Sequence, residues 1–310
     1  MRLVCIACVK NEIDIVEAFV RHTVALADSL VVLDNGSTDG TLDVLRALER
    51  AGLALEVVED PSPGNWQGRR MTRLMTKFAV EHHGADWVLP LDADEFLLPA
   101  PDGCLAESLA CHTEPLHVSW RTYVPDPTDD SAEANPALRI RYRLEKEARA
   151  WQKVLVPRRL AVLAGATLSQ GSHFLLINDR RCRAVELTET FIAHIPIRSP
   201  GQHGSKVALV KLQHLAMSQR GDQWGWHHDA AYDLLKRDPA QFSTTWREAA
   251  LRFAVEPGDG FEPRVVRDPI PYRGGALVFT PPINDDSRVL RSVLEYAETL
   301  ARLHARQERG

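Results

Sequence analysis

The chain has 310 residues, 45% of them hydrophobic, and a formal charge of −5. That size allows one large domain or two small ones with an ample core, and the negative balance argues against a nucleic-acid binder that works by bulk electrostatics. No stretch reaches the roughly 18 consecutive apolar residues that a membrane span needs.

In chain order, residues 3–9 read as a buried first strand, since Met1–Val9 is apolar and runs into Lys10-Asn11-Glu12 without a small-residue cleavage site. Helical spacing follows over 12–27 (Ile13, Val16, Phe19, Val20, Val24), then an apolar strand over 30–34. A helix is expected from Thr38 to Leu48 with Thr38 or Asp39 as cap, then a strand at 55–58, a helix from Gly68 to His82 and a strand at 86–91. All-apolar strands alternating with helices imply an α/β fold whose mostly parallel sheet is covered on both faces. After Pro99 the pattern turns mixed, with strands expected over 116–123, 138–144, 153–163, 173–177 and 185–195. From Gly201 it is helical, over 204–220, 226–237, 243–254 and 286–306. A boundary near 200 separates a catalytic part, 1–200, from a helical region, 201–310, on the acceptor side or at an oligomer contact; the run Pro269 to Pro282 is free to fold back on the first part. The last helix, capped by Asp285 or Asp286, carries an apolar stripe of Val289, Leu290, Val293, Leu294, Ala297, Leu300 and Leu303 that asks for burial. Five cysteines without a repeated C-x-x-C spacing fit a reducing cytoplasm better than disulfides or a zinc site.

The most informative residues are Asp92-Ala93-Asp94, which close the strand at 86–91. At strand spacing i and i+2 leave one face, so the two carboxylates can point at one spot. There they repel unless a cation sits between them, and Mg²⁺ or Mn²⁺ shared with a substrate phosphate answers that need. A solvated acidic turn is the plainer reading of the same residues. Ligands of such sheets gather at the carboxyl ends of the strands, where Cys8 to Asn11, Asp34 to Ser37 and Asp92 to Glu95 all fall.

Several segments together resemble the family 2 glycosyltransferases. Val9-Lys10-Asn11-Glu12 is similar to their first-strand end, and Leu33-Asp34-Asn35-Gly36-Ser37-Thr38-Asp39-Gly40-Thr41 to their V-D-D-G-S-T-D-G-T segment. Leu91-Asp92-Ala93-Asp94-Glu95-Phe96 matches the D-x-D-E-F form of the family-2-like and family 92 branches. Trp151-x-Lys153, Gly171-Ser172-His173-Phe174 and His194-Ile195-Pro196-Ile197-Arg198-Ser199 followed by Lys206 resemble later pieces of those branches. The resemblance covers about residues 1–210.

It implies a GT-A fold and a nucleotide-sugar donor, UDP-linked or GDP-linked, with a glycan or glycolipid acceptor and inversion at the sugar. Donor contacts would come from Cys8, Lys10, Asn11, Glu12, Asp34, Asn35, Arg70, Asp92, Ala93, Lys153, Arg198 and Lys206. Asn35 stands where the family usually has a second Asp. Mn²⁺ or Mg²⁺ would be held by Asp92, Asp94 and His194, with His173 as a competing ligand. Glu95 also reads as a helix-start carboxylate. Asp229 and Glu189 are candidates for the general base by position alone, and Trp224 to Asp229 offers aromatic rings for an acceptor or an anchor for a helix. Arg139, Arg141 and Arg143 alternate at strand period, which suits a charged edge strand or an anionic acceptor. These readings exclude nucleic acid as partner and a transmembrane segment, and leave peripheral membrane contact open. The rivals are a nucleotidyltransferase acting on a sugar phosphate, which would want a glycine-rich basic loop after the first strand, and a catalytically inactive glycan-binding scaffold, which would be free to lose the acidic pair.

Overall fold

The computed structural model describes residues 1–64, 66–100, 105–217, 226–256 and 258–307, the side chains at 106, 226, 227 and 305–307 excepted. The first half alternates strand and helix: β1 (Leu3–Val9), α1 (Val16–Val24), β2 (Ser29–Asp34), α2 (Thr41–Arg50), β3 (Leu55–Glu59), α3 (Gln67–Arg73) and β4 (Trp87–Leu91). β4, β1, β2 and β3 lie side by side in parallel, in that order. Successive residues of β1 enter two different cores. Leu3, Cys5, Ala7 and Val9 pack with α1 and α2, whereas Val4 and Ile6 pack with Met71, Leu74 and Met75 on the other face. That two-sided burial is why these strands read as unbroken apolar runs. It also pushes the Cys5 thiol up to about 12.

Three local expectations are corrected. The first helix is shorter than 12–27, because Glu12 to Asp14 form a turn that carries charge to the rim. α2 starts at Thr41 after Gly40 (φ 102°), yet Asp39 still serves it, its Oδ1 accepting from the Thr41 N–H at 3.0 Å. The helix expected over Gly68 to His82 begins as α3 and widens into a π-helical stretch at Leu74–His82. The Thr72 and Thr76 hydroxyls donate to the carbonyls of Gly68 and Thr72, competing with the regular ladder there.

The second half extends the sheet with β5 (Glu95–Leu98), α4 (Leu105–Ala110), β6 (Leu116–Val124), α5 (Pro136–Arg139), β7 (Tyr142–Leu144), β8 (Gln152–Pro157), α6 (Arg158–Ala161), β9 (Ala166–Leu168), β10 (Leu175–Ile177), β11 (Arg180–Arg181) and β12 (Val185–His194). β8 joins β4 antiparallel, β6 joins β8 antiparallel, and β12 runs between β6 and β5, so the sheet curls over the acidic turn. The strand expected over 138–144 is a helical turn at Pro136–Arg139, started by the Asn135 side chain, and only then a strand. Arg139, Arg141 and Arg143 therefore share no strand face. Arg143 bonds Asp268 instead, at 2.7 Å. The strand expected over 153–163 stops at Pro157, where α6 begins.

α7 (Pro200–Leu215), α8 (Trp226–Arg237), α9 (Pro239–Leu251), β13 (Val265–Arg267) and α10 (Arg288–Gln307) complete the chain, and β13 pairs β7. Asp285 serves α7 rather than its own helix, accepting from the Gly201 N–H at 2.8 Å and the Ser199 hydroxyl at 2.6 Å. The buried face of α10 is Arg288, Ser292 and Tyr296; Leu290 (64% exposed) and Leu294 (54%) face out, so the expected stripe is only partly covered. Among the described residues no helix is long and apolar enough to cross a membrane.

Residues 269–282 fold back onto α1, as the sequence allowed. The fully buried Glu17 carboxylate accepts the N–H groups of Val278, Phe279 and Thr280 at 2.7–2.8 Å, and Arg21 pairs with it at 2.8 Å. Burial pushes its pKa up, but these hydrogen bonds outweigh burial and hold it below the usual value. Glu17→Gln should cost about 2–3 kcal/mol, since one amide oxygen cannot replace two charged ones. The contribution exists above the unfolded carboxylate pKa and is lost as pH falls through the lower folded value. Urea denaturation of both proteins between pH 3 and pH 7 checks it: the gap should close toward the acid end.

Candidate active site

The carboxyl ends of β1, β2 and β4 open on one cavity of about 650 Å³, roofed by α7 and by the loop after β9. Cys8, Lys10, Asn11, Glu12, Asn35, Arg70, Asp92, Ala93, Asp94, His173, His194 and Lys206 all line it. Asp34, Lys153 and Arg198 stand behind that wall, and Glu189 and Asp229 stand away from it.

Asp92-Ala93-Asp94 is a tight turn between β4 and β5, closed by the Glu95 N–H on the Asp92 carbonyl at 3.0 Å. The strand-period argument for a shared face therefore does not apply, and the two carboxylates take different partners. Asp92 accepts from Lys153 Nζ at 2.6 Å and Gln67 at 2.7 Å, and Asp94 from Lys206 Nζ at 2.5 Å. His194 Nε2 stands 3.8 Å from Asp94 Oδ1. Burial would raise the Asp94 pKa, but Lys206, His194 and Arg198 hold it well below the usual carboxylate range. Glu95 is fully buried rather than a helix-start carboxylate; burial lifts it to about 8 against the pull of Lys153, 3.2 Å away. The buried Lys153 ammonium is stabilised against desolvation by Asp92 and Glu95. Burial also keeps His173 and His194 neutral, each lowered to about 4.

Beneath this turn lies a network of buried charges. Arg198, wholly buried, bonds Glu12 and Asp14, both at 2.5 Å, and the Ile195 carbonyl at 3.1 Å. Arg288 of α10 reaches Asp14 at 2.7 Å. The guanidinium of Arg198 is spent on these partners, so it braces the rim instead of facing the cavity. Arg70 is engaged as well, by Asp60, Ser62 and Gly64, and shapes the loop after β3.

At the other end, Lys10 Nζ donates to the carbonyls of Asn35 and Gly36, both at 2.8 Å. Asn11 takes φ 55° to lay its amide along Thr38. Asp34 caps its own turn through the Ser37 N–H, leaving Oδ2 buried and without a partner among the described residues. Asn35 gives both amide hydrogens to Asp60 and Ser62 and accepts from Gln213 at 3.2 Å. An aspartate would repel those two carbonyls, which accounts for the amide at this position.

The candidate bases do not reach the cavity. Glu189 is on the exposed part of β12, and Asp229 accepts from Lys211 at 2.7 Å, although its neighbour His228 lines the cavity. Trp224 and Gly225, and the side chains of Trp226 and His227, lie outside the described residues. Sequence reasoning missed Gln67, Trp120, Gln213 and Phe253, which line the cavity from separate elements. Only Trp151 carried a signal, through its place before Lys153.

Among the described residues, three ligand atoms within 4.8 Å occur at Glu56, His82 and His83, not at the acidic turn. The turn still offers a metal suitable donors. Asp94 faces a neutral imidazole whose Nδ1 is buried without a partner among the described residues. Carboxylate oxygen with one imidazole suits Mn²⁺ and, less well, Mg²⁺.

No family model matches the chain. Over 92 residues it is 34% identical to the lipopolysaccharide core biosynthesis glycosyltransferase LpsC of Rhizobium meliloti (strain 1021), a glycosyltransferase-like stretch covering 30% of this chain and 31% of that protein. Among solved structures, the mannosyltransferase PcManGT from Pyrobaculum calidifontis, in complex with GDP-Man and Mn²⁺, is 17% identical over 81% of this chain and 74% of that one, with TM-score 0.42. HddC from Yersinia pseudotuberculosis is 9% identical over 63% and 95% respectively, with TM-score 0.37.

Proposed function

We propose that this chain is a family 2-like, metal-dependent glycosyltransferase of GT-A architecture that moves a sugar from a UDP- or GDP-linked donor to a glycan or glycolipid hydroxyl with inversion, in the cytoplasm and in polysaccharide biosynthesis. The observation that carries it is the single cavity shared by the ends of three parallel strands and an acidic turn edged with lysines. The nucleoside would lie along Cys8, Lys10, Asn35 and Arg70, and the diphosphate toward Asp92 and Asp94. Asp94 and His194 would hold the ion, Asp92 reaching it through water; the ion supplies charge neutralisation to the diphosphate. Lys206, 30% exposed, is free to turn from Asp94 to a phosphate oxygen. The acceptor oxygen bonds to the anomeric carbon, the bond from that carbon to the phosphate oxygen breaks with its electron pair leaving on the diphosphate, and the hydroxyl proton passes to a general base. The catalytic part at 1–200 and the helical region at 201–310 divide this work, α7 contributing Lys206 and Gln213 across the division. Thermal-shift measurements with UDP, GDP and CDP, each with and without Mn²⁺, test the reading. One nucleoside diphosphate should stabilise the protein, and more so with the ion, by about 2.7 kcal/mol at a hundred times its Kd. Indifference to all three would sink the reading.

A further inference from the structure

Beyond the acidic turn the cavity changes character. Trp120 of β6, Trp151 just before β8 and His173 after β9 form a continuous wall: the Trp120 and Trp151 rings are 6.1 Å apart, Trp151 and His173 5.1 Å, Trp120 and His173 5.6 Å. All three line the cavity, and both indoles are only half-buried, unlike the core residue Trp87 at 4% exposure. The wall touches the reactive end directly, since the His194 ring lies 4.2 Å from Trp120 and its Nε2 3.8 Å from Asp94.

The histidine in this wall is held in one tautomer. His173 Nδ1 is 2.7 Å from the Gln152 carbonyl, so it carries the proton and Nε2 keeps a lone pair. Nε2 has no hydrogen-bond partner among the described residues. Gly171 gives it room: a Cβ there would sit 2.4 Å from Nε2, in a backbone with φ +72° that other residues rarely adopt.

We infer that this wall is the acceptor subsite, seating a pyranose with its C–H face on the Trp120 and Trp151 indoles and one hydroxyl donating to His173 Nε2. The inference rests on the glycosyltransferase reading. A pyranose is apolar on one face and ringed by hydroxyls, so flat indoles beside a single fixed acceptor match it. A nucleobase would also stack on indole, but the end of the cavity proposed for the nucleoside is lined by Lys10, Asn35 and Gln213, which bring amides and an ammonium instead. The acceptor class is therefore a sugar-terminated molecule, not a bare lipid alcohol or a peptide hydroxyl.

Saturation-transfer NMR tests it with the full chain, Mg²⁺, UDP or GDP, and methyl glycosides of mannose, glucose and galactose as probes. At least one glycoside should receive saturation on its ring C–H protons. Trp151→Ala should lower its affinity about ten-fold while the nucleoside signals stay as in the parent, and Trp151→Phe should restore most of it. If Trp151→Ala does not fold, Trp151→Leu, which keeps bulk without the flat face, carries the comparison. Saturated nucleotide without any saturated glycoside overturns the inference. So does a glycoside signal indifferent to Trp151, or a Trp151 variant that loses nucleobase signals instead. A parent protein that binds neither nucleotide overturns the glycosyltransferase reading, and the acceptor subsite with it.

Discussion

Arg198→Ala should cost about 3–5 kcal/mol of stability, because it leaves the carboxylates of Glu12 and Asp14 buried with half their partners gone. The resemblance implied that this arginine contacts the donor. In the structure it is wholly buried, with Nε on Asp14, Nη2 on both acids and Nη1 on the Ile195 carbonyl. Burial alone would lower its pKa, but Asp14 and Glu12 hold it above the usual arginine value. Arg198→Lys should recover little, since one ammonium cannot satisfy two carboxylates and a carbonyl in that geometry. Arg288 also bonds Asp14, so the damage should spread to the docking of α10 and be seen by proteolysis as well as by chemical denaturation. A variant with parental stability that has lost only nucleotide affinity would return Arg198 to the phosphate site.

Those two carboxylates show how much the sequence made legible and where it stopped. The strands were readable because β1, β2 and β4 are buried on both faces, and total burial leaves an unbroken apolar run in one dimension; their order in the sheet was not. The rim was readable for the same reason, since charged residues directly after such a run have to lie at a strand end. Which rim residue faces the cavity was not readable. Lys153 and Lys206 are both lysines in matching segments, yet one is sealed under Trp120 against Glu95 and the other stays 30% exposed. That difference comes from the curl of β6, β8 and β12 over the turn, a long-range arrangement with no local periodicity. The Arg139 to Arg143 alternation failed because the Asn135-Pro136 start of a helical turn outweighed a period-2 pattern. Trp151 and His173 stood in quoted segments, but the wall they form with Trp120 was not readable, because its members come from separate elements brought together only by the fold.

Asp94→Asn should abolish the part of donor affinity that depends on metal, and lower transfer by about 10²–10³-fold. Asparagine keeps the volume of a side chain that is 2% exposed, and its turn is closed by backbone bonds that do not involve the carboxylate. The charges left behind have outlets: Lys206 can reach solvent, and Arg198, 3.8 Å away, keeps Glu12 and Asp14. The fold should therefore survive with a modest loss of stability, less than that of Arg198→Ala. Calorimetric titration with the nucleoside diphosphate, with and without Mn²⁺, separates two effects at this residue. If Asp94 holds the ion, the gain that Mn²⁺ gives the parent disappears in Asp94→Asn, while affinity without metal is unchanged or rises as Lys206 is freed for phosphate. Lys206→Ala gives the opposite pattern, a weaker affinity under both conditions with the Mn²⁺ increment retained. An Asp94→Asn protein that keeps the full Mn²⁺ increment would mean that the ion sits elsewhere, and that this acidic turn serves only to hold its lysines.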